Sequence, residues 1–191
     1  MGRYILTLFL LFASPLVAAQ VPYTLDAENS VVGFSVFFGR DEITGRMPVI
    51  AADIALDFER PERSTVDVTL NAADAQASFP FARQALIGPR MLDTRNTPTI
   101  TFRATRITTL PGPGLKAEME GDLTIRGTTR PATFAAEIFR QRDGAAEGDL
   151  SALSIHLNAE VNRSEFGADG WADLVEDKVE IRIVARINRA P

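Results

Sequence analysis

The clearest pattern in this sequence is the segment GLKAEMEGDLTIRGTTRP, which spans residues 114–131. From residue 115 to residue 126, apolar residues and glycine alternate strictly with charged residues and threonine. Successive side chains of a strand point to opposite faces, whereas a helical period would mix the charges into the apolar stripe. The segment therefore predicts a long strand with one solvent-exposed polar face and one buried apolar face, called here the wet face and the dry face. This arrangement is typical of antiparallel sheets and barrels.

The same alternation recurs along most of the chain and predicts about eight strands in hairpin-like succession. The pattern breaks over residues 71–97, where a short helix is predicted at residues 81–87, just before Gly88 and Pro89. A connection of this length in a compact domain usually carries function or covers a surface. We expect Met91 and Leu92 to tuck under one end of an all-β, antiparallel barrel.

The composition excludes several classes of protein. Of the 191 residues, 46% are hydrophobic, which is enough for the core of a single domain. The net charge of −5 argues against a nucleic-acid-binding protein and against a polybasic membrane-surface protein. The chain has no cysteine, which excludes disulfides, thiolate catalysis and a lipidated N-terminal cysteine. The single histidine, His156, excludes a histidine-rich metal site.

The N-terminal segment has the pattern of a secretory signal peptide. Residues 1–20 read MGRYILTLFLLFASPLVAAQ, with Arg3 before an apolar run and with small residues at the end. The apolar run is shorter than the ~20 residues that a membrane-spanning helix needs. We therefore expect a signal peptide over residues 1–19, cleaved near Ala19, and one exported domain over residues 20–191 without a membrane span.

Many inward positions of the predicted strands carry small side chains. An eight-stranded barrel is near the size at which side chains either just fill the interior or leave room for one ligand. Small residues favour room, but Phe34, Phe102 and Phe134 are bulky enough to fill it, so a packed core and a ligand cavity both stay open at this point. The small inward residues are Ala52, Ala104, Ala117, Gly121, Ala132, Ala136, Ala159 and Ala185.

The alternation also assigns individual residues to one face or the other. It places Ile50 on the dry face and Asp57 on the wet face. It places Phe37, Ile107 and Val184 on the outer surface, where they predict a modest sheet-edge contact for a homodimer.

If the barrel holds a ligand, the absence of inward polar groups predicts a long apolar chain whose head lies near one end. Trp171 is an interior plug, a mouth-lining aromatic or an ordinary packing residue, and the sequence does not separate these alternatives. The predicted ligand-binding residues are Phe34, Val36, Phe38, Ile54, Leu56, Phe102, Met119, Leu123, Phe134, Ile138, Ile155, Leu157 and Trp171.

The sequence contains no recognisable set of catalytic or metal-binding residues. His156 lies between two dry-face residues and is therefore expected on the wet face. Ser164, next to Glu165, is expected to serve in a turn, because no nucleophile, base and orienting group can be assembled around it. The acidic residues of 169–177 miss the spacing of an EF-hand, so no metal is expected there.

Several segments together resemble one known family, the YceI family of lipid- or polyisoprenoid-binding proteins of the bacterial periplasm. Each segment is weak alone, but their order and spacing are specific, and they cover residues 23–188. The segments are Tyr23-Thr24-Leu25-Asp26, Val32-Gly33-Phe34-Ser35-Val36, Gly45-Arg46, Thr97-Pro98-Thr99-Ile100-Thr101-Phe102, Gly121-Asp122-Leu123-Thr124-Ile125, Asn162-Arg163-Ser164-Glu165-Phe166-Gly167 and Val179-Glu180-Ile181.

The resemblance implies an extended lipocalin-like barrel, with a long amphiphile such as an isoprenoid quinone or a fatty-acid derivative in its interior. The sequence also departs from the family, because members often carry histidine where this chain has Phe38, Ala85 and Arg126. If those histidines contact a polar head, this chain lacks that contact.

Three functional hypotheses follow from these observations. The first is a periplasmic carrier, not an enzyme, that sequesters an apolar amphiphile without a bound cofactor. The alternative is a ligand-free interaction or stress-response module that acts through its charged outer face. The third is an enzyme acting on lipids, for which Ser164 and His156 are the only candidates.

Overall fold

The computed structural model describes residues 20–141 and 148–191. The predicted signal peptide lies outside the described residues, and so does most of the polar loop expected between Gln141 and Asp149. Within the described part of the chain, no helix is both long and apolar enough to cross a membrane.

The described residues form eleven strands and a single α-helix, connected mainly by short turns. The strands are β1 (Val21–Leu25), β2 (Val31–Phe38), β3 (Asp41–Met47), β4 (Val49–Leu56), β5 (Thr65–Asn71), β6 (Gln76–Ala77), β7 (Thr99–Leu110), β8 (Leu115–Ile125), β9 (Thr128–Arg140), β10 (Ala152–Asn162) and β11 (Lys178–Arg189). The helix α1 spans Pro80–Ile87, and short 3-10 helices span Pro61–Arg63 and Arg163–Phe166.

The sheet closes into an antiparallel barrel because β1 pairs on both of its edges. Tyr23 of β1 lies opposite Ile54 of β4 on one side and opposite Arg189 of β11 on the other. The closed order β1-β4-β5-β7-β8-β9-β10-β11 returns to β1 and contains eight strands. The other half of β11 pairs with β2, which continues through β3 to β6. The predicted barrel with one short helix is confirmed.

Strand β8 shows the alternation that the sequence predicted. Ala117, Met119 and Leu123 are buried, and the charged residues between them face outward. On the outer face, Lys116 Nζ lies 2.8 Å from Glu137 Oε1 of β9. Cross-strand pairs of this kind help to fix the register of neighbouring strands.

Two bulges shift the alternation, and two face assignments were wrong for this reason. In β4 the register shifts between Val49 and Ala51, so Val49 faces the interior and Ile50 is 56% exposed. In β7 the register shifts between Ala104 and Arg106, which turns Ile107 inward. A bulge adds one residue to one strand, so every residue beyond it changes face.

The two ends of the barrel are built differently. We call the end formed by α1, residues 88–98 and residues 163–177 the helix end. Leu92 and Phe166 are buried there among the barrel residues, and Met91 contacts the interior, so the predicted cover under one end is confirmed. The opposite end, formed by residues 57–64 and the ends of β1, β7 and β11, is called the turn end.

Candidate functional site

A cavity of about 290 Å³ runs through the barrel from the turn end to the helix end. Phe58 and Pro61 border it at the turn end, and Leu92 and Phe166 border it at the helix end. Nearly all of the lining side chains between these ends are aliphatic or aromatic. Such a cavity repels water and ions and suits an apolar guest.

The structure brings most of the predicted ligand-binding residues together around this cavity. Phe38 and Trp171 are the exceptions, and both are displaced to the outside of the helix end. Phe38 is 40% exposed and forms an isolated bridge with Val175. Trp171 is 39% exposed, and the Arg90 guanidinium lies 5.4 Å from its ring centroid. The predicted residues that line the cavity are Phe34, Val36, Ile54, Leu56, Phe102, Met119, Leu123, Phe134, Ile138, Ile155 and Leu157.

One half of the interior is filled by aromatic rings. The rings of Phe102 and Phe134 pack edge to face with centroids 4.9 Å apart, and both belong to one buried cluster with Phe166. A methyl group on Gly121 would overlap the Phe102 ring and the Arg103 carbonyl oxygen. We call this region the filled half, and its small residues are Ala104, Gly121, Ala132 and Ala159.

The other half keeps its small residues in contact with empty space, and we call it the hollow half. Ala117 and Ala136 lie opposite each other on β8 and β9, and both line the cavity. Ala185 lies opposite Ile155 and lines it too, as does Ala52 of β4. The interior therefore combines a closely packed region, whose Phe102 and Phe134 rings form part of the cavity wall, with a region in which small side chains border the open space.

Sequence reasoning missed the buried Arg163. This residue is 6% exposed and lines the helix end of the cavity. Its guanidinium donates to four backbone carbonyls: from Nε to Glu176 at 2.9 Å, from Nη1 to Gly170 at 2.9 Å and to Ala168, and from Nη2 to Val175 at 2.8 Å. Arg163 therefore holds the segment that closes the helix end. No sequence signal separates this arginine from a solvated one.

Asp57 is also buried, and the predicted wet-face position was wrong. Strand β4 ends at Leu56, and Asp57 begins the turn instead of continuing the alternation. Its Oδ1 accepts the backbone N–H of Glu59 at 3.1 Å and of Arg60 at 2.8 Å. An aspartate before a turn commonly bonds the backbone two or three residues on, and this signal was available in the sequence.

Tyr23 supports the turn end from within the wall. It is 5% exposed, and its hydroxyl donates to the Leu150 carbonyl at 2.7 Å. Burial raises the pKa of the Tyr23 phenol above its ordinary value of 10.0, and a hydrogen bond with Arg189 opposes this shift. The hydroxyl therefore stays protonated at neutral pH and remains a donor.

The candidate catalytic residues lie in separate, ordinary environments. Ser164 Oγ donates to Asp177 Oδ2 at 2.7 Å, and Asp177 Oδ1 accepts the Ser164 backbone N–H at 2.8 Å, which is a turn arrangement. His156 is exposed on the outer face, with its ring centroid 4.8 Å from that of Phe139. Across residues 20–141 and 148–191, no cluster of three or more His, Asp or Glu side chains is arranged to hold a metal ion.

The positions where family members often carry histidine lie at the helix end. Arg126 has a φ of 53° and donates from Nη1 to the Pro89 carbonyl at 2.8 Å and to the Met91 carbonyl. It therefore links the β8–β9 turn to the connection after α1. Ala85 is a half-buried residue of α1. Neither Arg126 nor Ala85 lines the cavity.

Comparison with known proteins identifies relatives along most of the chain. The sequence model of the YceI-like domain matches residues 23–187. A UPF0312 protein of Vibrio vulnificus strain YJ016 is 28% identical over 174 residues, which cover 87% of this chain and 90% of that protein. Protein YceI of Escherichia coli O157:H7 is 25% identical over 132 residues, which cover 69% of this chain and 68% of that protein.

Solved structures share the same architecture. BcnA of Burkholderia cenocepacia has a TM-score of 0.74 at 20% identity, covering 85% of this chain and 99% of that chain. A YCEI protein of Campylobacter jejuni has a TM-score of 0.61 at 20% identity, with both chains covered in full. These structures support the fold, and the domain match over residues 23–187 establishes the relationship by sequence. The chain belongs to the YceI-like domain family.

Proposed function

We propose that this barrel binds and carries one long apolar amphiphile, such as an isoprenoid quinone or a fatty-acid derivative, without catalysing a reaction. The observation that carries the proposal is the apolar cavity of about 290 Å³ that extends between the two ends of the barrel. The signal-peptide pattern of residues 1–19 supports action in the periplasm.

The hydrophobic effect is sufficient to hold such a ligand. Burying a few hundred Å2 of alkyl surface at ~25 cal/mol/Å2 gives on the order of 10 kcal/mol before the ordering of the ligand is counted. Specificity for chain length and shape then comes from the wall, because the packed residues around the cavity limit its width.

The direct test is to extract the purified protein with organic solvent and to quantify the released molecules by mass spectrometry. Leu123→Asp places a charge in the cavity wall, so we expect the amount of released lipid to fall at least about tenfold. Thr133→Asp introduces the same side chain on the outer face of β9 and should keep the wild-type amount.

Leu123 also belongs to the buried cluster, so Leu123→Asp can lose lipid simply by unfolding. A second variant that keeps the fold is therefore needed. Ala185→Leu adds apolar volume in the hollow half and should reduce bound lipid while preserving the unfolding temperature. If both folded variants retain lipid in the wild-type amount, or if the wild-type protein releases none in repeated preparations, the proposal is wrong. The second result would favour a ligand-free module.

A further inference from the structure

The exposed aromatic side chains of the protein are concentrated at the helix end. Of the six phenylalanine and tryptophan side chains that are exposed in the described ranges 20–141 and 148–191, five lie at this end and one lies near the turn end. The end of β2 belongs to the helix end because the Glu176 N–H donates to the Phe37 carbonyl at 2.9 Å. Scattered apolar side chains are ordinary on a protein surface, whereas a concentration of them marks a contact surface. The five are Phe37, Phe38, Phe79, Phe81 and Trp171, and the sixth is Phe139 of β9.

The two most exposed of these rings project from the start of α1. Phe79 is 53% exposed and Phe81 is 89% exposed. They flank Pro80, the first residue of the helix, and no residue of the helix is fully buried. The other end of α1 is attached to the barrel, because Leu86 packs against the buried cluster and lines the cavity. One short helix therefore presents two rings to the outside and touches the cavity with its last turn.

The charge around these two rings is positive. Residues 75–92 contain Arg83 and Arg90 but no acidic residue, although the whole chain carries a net charge of −5. Arg46 of β3 lies beside this segment, since its Nε donates to Gln76 Oε1 at 2.9 Å. The first turn of α1 has no acidic side chain, and its N-cap makes no side-chain hydrogen bond. The positive end of the helix dipole is therefore not neutralised from within the helix, and this side favours an anionic surface.

The acidic side chains of the helix end lie on other segments. They are Asp41 and Glu42 at the start of β3, Asp93 after α1, and Glu165, Asp169, Asp173, Glu176 and Asp177 in the closing segment. The last group brackets Trp171 in the sequence, and the Trp171 ring already contacts the Arg90 guanidinium. An anionic surface therefore meets the α1 side of the helix end and not the Trp171 side.

Two projecting rings suit a lipid bilayer better than a protein surface. Each aromatic side chain buries about 150–250 Å2, so the pair supplies only roughly half of the ~800 Å2 that each partner buries in a specific protein interface. A bilayer interface needs no matching shape, and it binds apolar side chains that are accompanied by arginine. Charge and area therefore indicate the same occupant.

We propose that the helix end docks on an anionic lipid bilayer, with Phe79 and Phe81 inserted into the interface and Arg83 next to the head-group phosphates. Leu86 and Leu92 line the cavity just behind these rings, so docking places this end of the cavity beside the bilayer. The purpose of the docking, exchange of the apolar guest with the bilayer, rests on the proposed function. The docking itself needs no guest.

Flotation with vesicles of phosphatidylethanolamine and phosphatidylglycerol tests the docking. A double variant with Phe79→Ser and Phe81→Ser removes two exposed rings that lie outside the cavity wall, so its lipid content should be unchanged. Serine is a favourable N-cap at position 79, so α1 should persist. We expect the vesicle affinity to fall about tenfold or more, because the inserted apolar area is lost. Phe139→Ser removes an exposed ring near the turn end and should keep the wild-type affinity.

Tryptophan fluorescence tests the orientation, since Trp171 is the only tryptophan of the chain. In a Trp171→Phe background, Phe81→Trp provides a single reporter at α1, and Phe139→Trp provides one near the turn end. Lipids that carry bromine on their acyl chains should quench the first reporter and leave the second unchanged.

Three results would overturn this inference: failure of the wild-type protein to float with the vesicles, an equal loss of affinity in Phe139→Ser, or equal quenching of the two reporters. If the protein does not float but sedimentation shows a dimer that the double variant lacks, the rings form a contact between two copies of the chain and the inference is wrong. The proposed function is decided separately, by the lipid extracted from the purified protein.

Discussion

The filled and hollow halves of the barrel have similar inward sequences, but their small residues have different neighbours. Both are lined by alanine or glycine on neighbouring strands. In the filled half, the ring of Phe102 lies over Gly121 and packs edge to face on Phe134, so that both rings form part of the cavity wall. In the hollow half, Ala117 and Ala136 face the cavity directly. Small residues therefore make space only where no large side chain from a neighbouring strand reaches over them.

The largest expected effect comes from emptying the filled half. Phe102→Ala removes one partner of the edge-to-face pair and widens the cavity within the buried cluster. We expect the free energy of unfolding to fall by about 3–5 kcal/mol, as for other buried aromatic truncations. Urea denaturation followed by circular dichroism measures this change.

Ile138→Ala is the matched truncation in the hollow half. Ile138 is only half-buried, and one side of it faces the cavity, so it has fewer contacts to lose. Its loss of stability should be clearly smaller than that of Phe102→Ala. Equal losses for the two variants would contradict the division into a filled half and a hollow half.

The next effect concerns the closure of the helix end. Arg163→Lys keeps the charge but replaces the planar guanidinium by an ammonium group. The three guanidinium nitrogens of Arg163 donate to four carbonyl oxygens, and a single ammonium nitrogen cannot reach all of them. We expect the free energy of unfolding to fall by about 2–3 kcal/mol. Arg186→Lys changes an exposed arginine and should stay within about 0.5 kcal/mol of the wild type. A loss no larger than that of the control would show that the guanidinium does not hold the closing segment.

The smallest expected effect compares two enlarged residues of the same strand, β8, one in each half of the barrel. Gly121→Ala adds a methyl group that overlaps the Phe102 ring and the Arg103 carbonyl oxygen, and we expect it to cost about 1–3 kcal/mol in thermal or urea unfolding. Ala117→Val enlarges an inward residue of the same strand beside the cavity and should change stability by less than about 1 kcal/mol. The reverse order of these two values would place the free space in the other half.

The alternation of apolar and polar residues was sufficient to predict the strands of the barrel. Any strand that buries one face shows this two-residue period in its sequence. The alternation assigned Leu123 and Ile155 to the interior for this reason, and both line the cavity. It was wrong for Ile50, which is the extra residue of the β4 bulge, and for Ile107, which follows the β7 bulge, because a bulge leaves no mark in the hydrophobic pattern.

The polar residues of the cavity were harder to predict than its apolar wall. Asp57 and Arg163 are charged, and charged residues near strand ends are usually solvated. Their burial depends on backbone groups of distant or turning segments, such as the carbonyls of Gly170 and Val175 around Arg163. The contacts of Arg163 exist only after the helix end has closed, so they cannot be deduced from a local pattern. The contacts of Asp57 lie two and three residues along the chain and follow from ordinary turn chemistry.

In the native protein, we expect an apolar chain to occupy the hollow half of the barrel. The most direct measurement is native mass spectrometry of the protein purified without detergent from the cells that naturally produce it. We expect a discrete mass above that of the polypeptide, which disappears after delipidation and is reduced in abundance in folded Ala185→Leu protein. A clean polypeptide mass in repeated preparations, or an added mass that Ala185→Leu retains in full, would contradict this expectation.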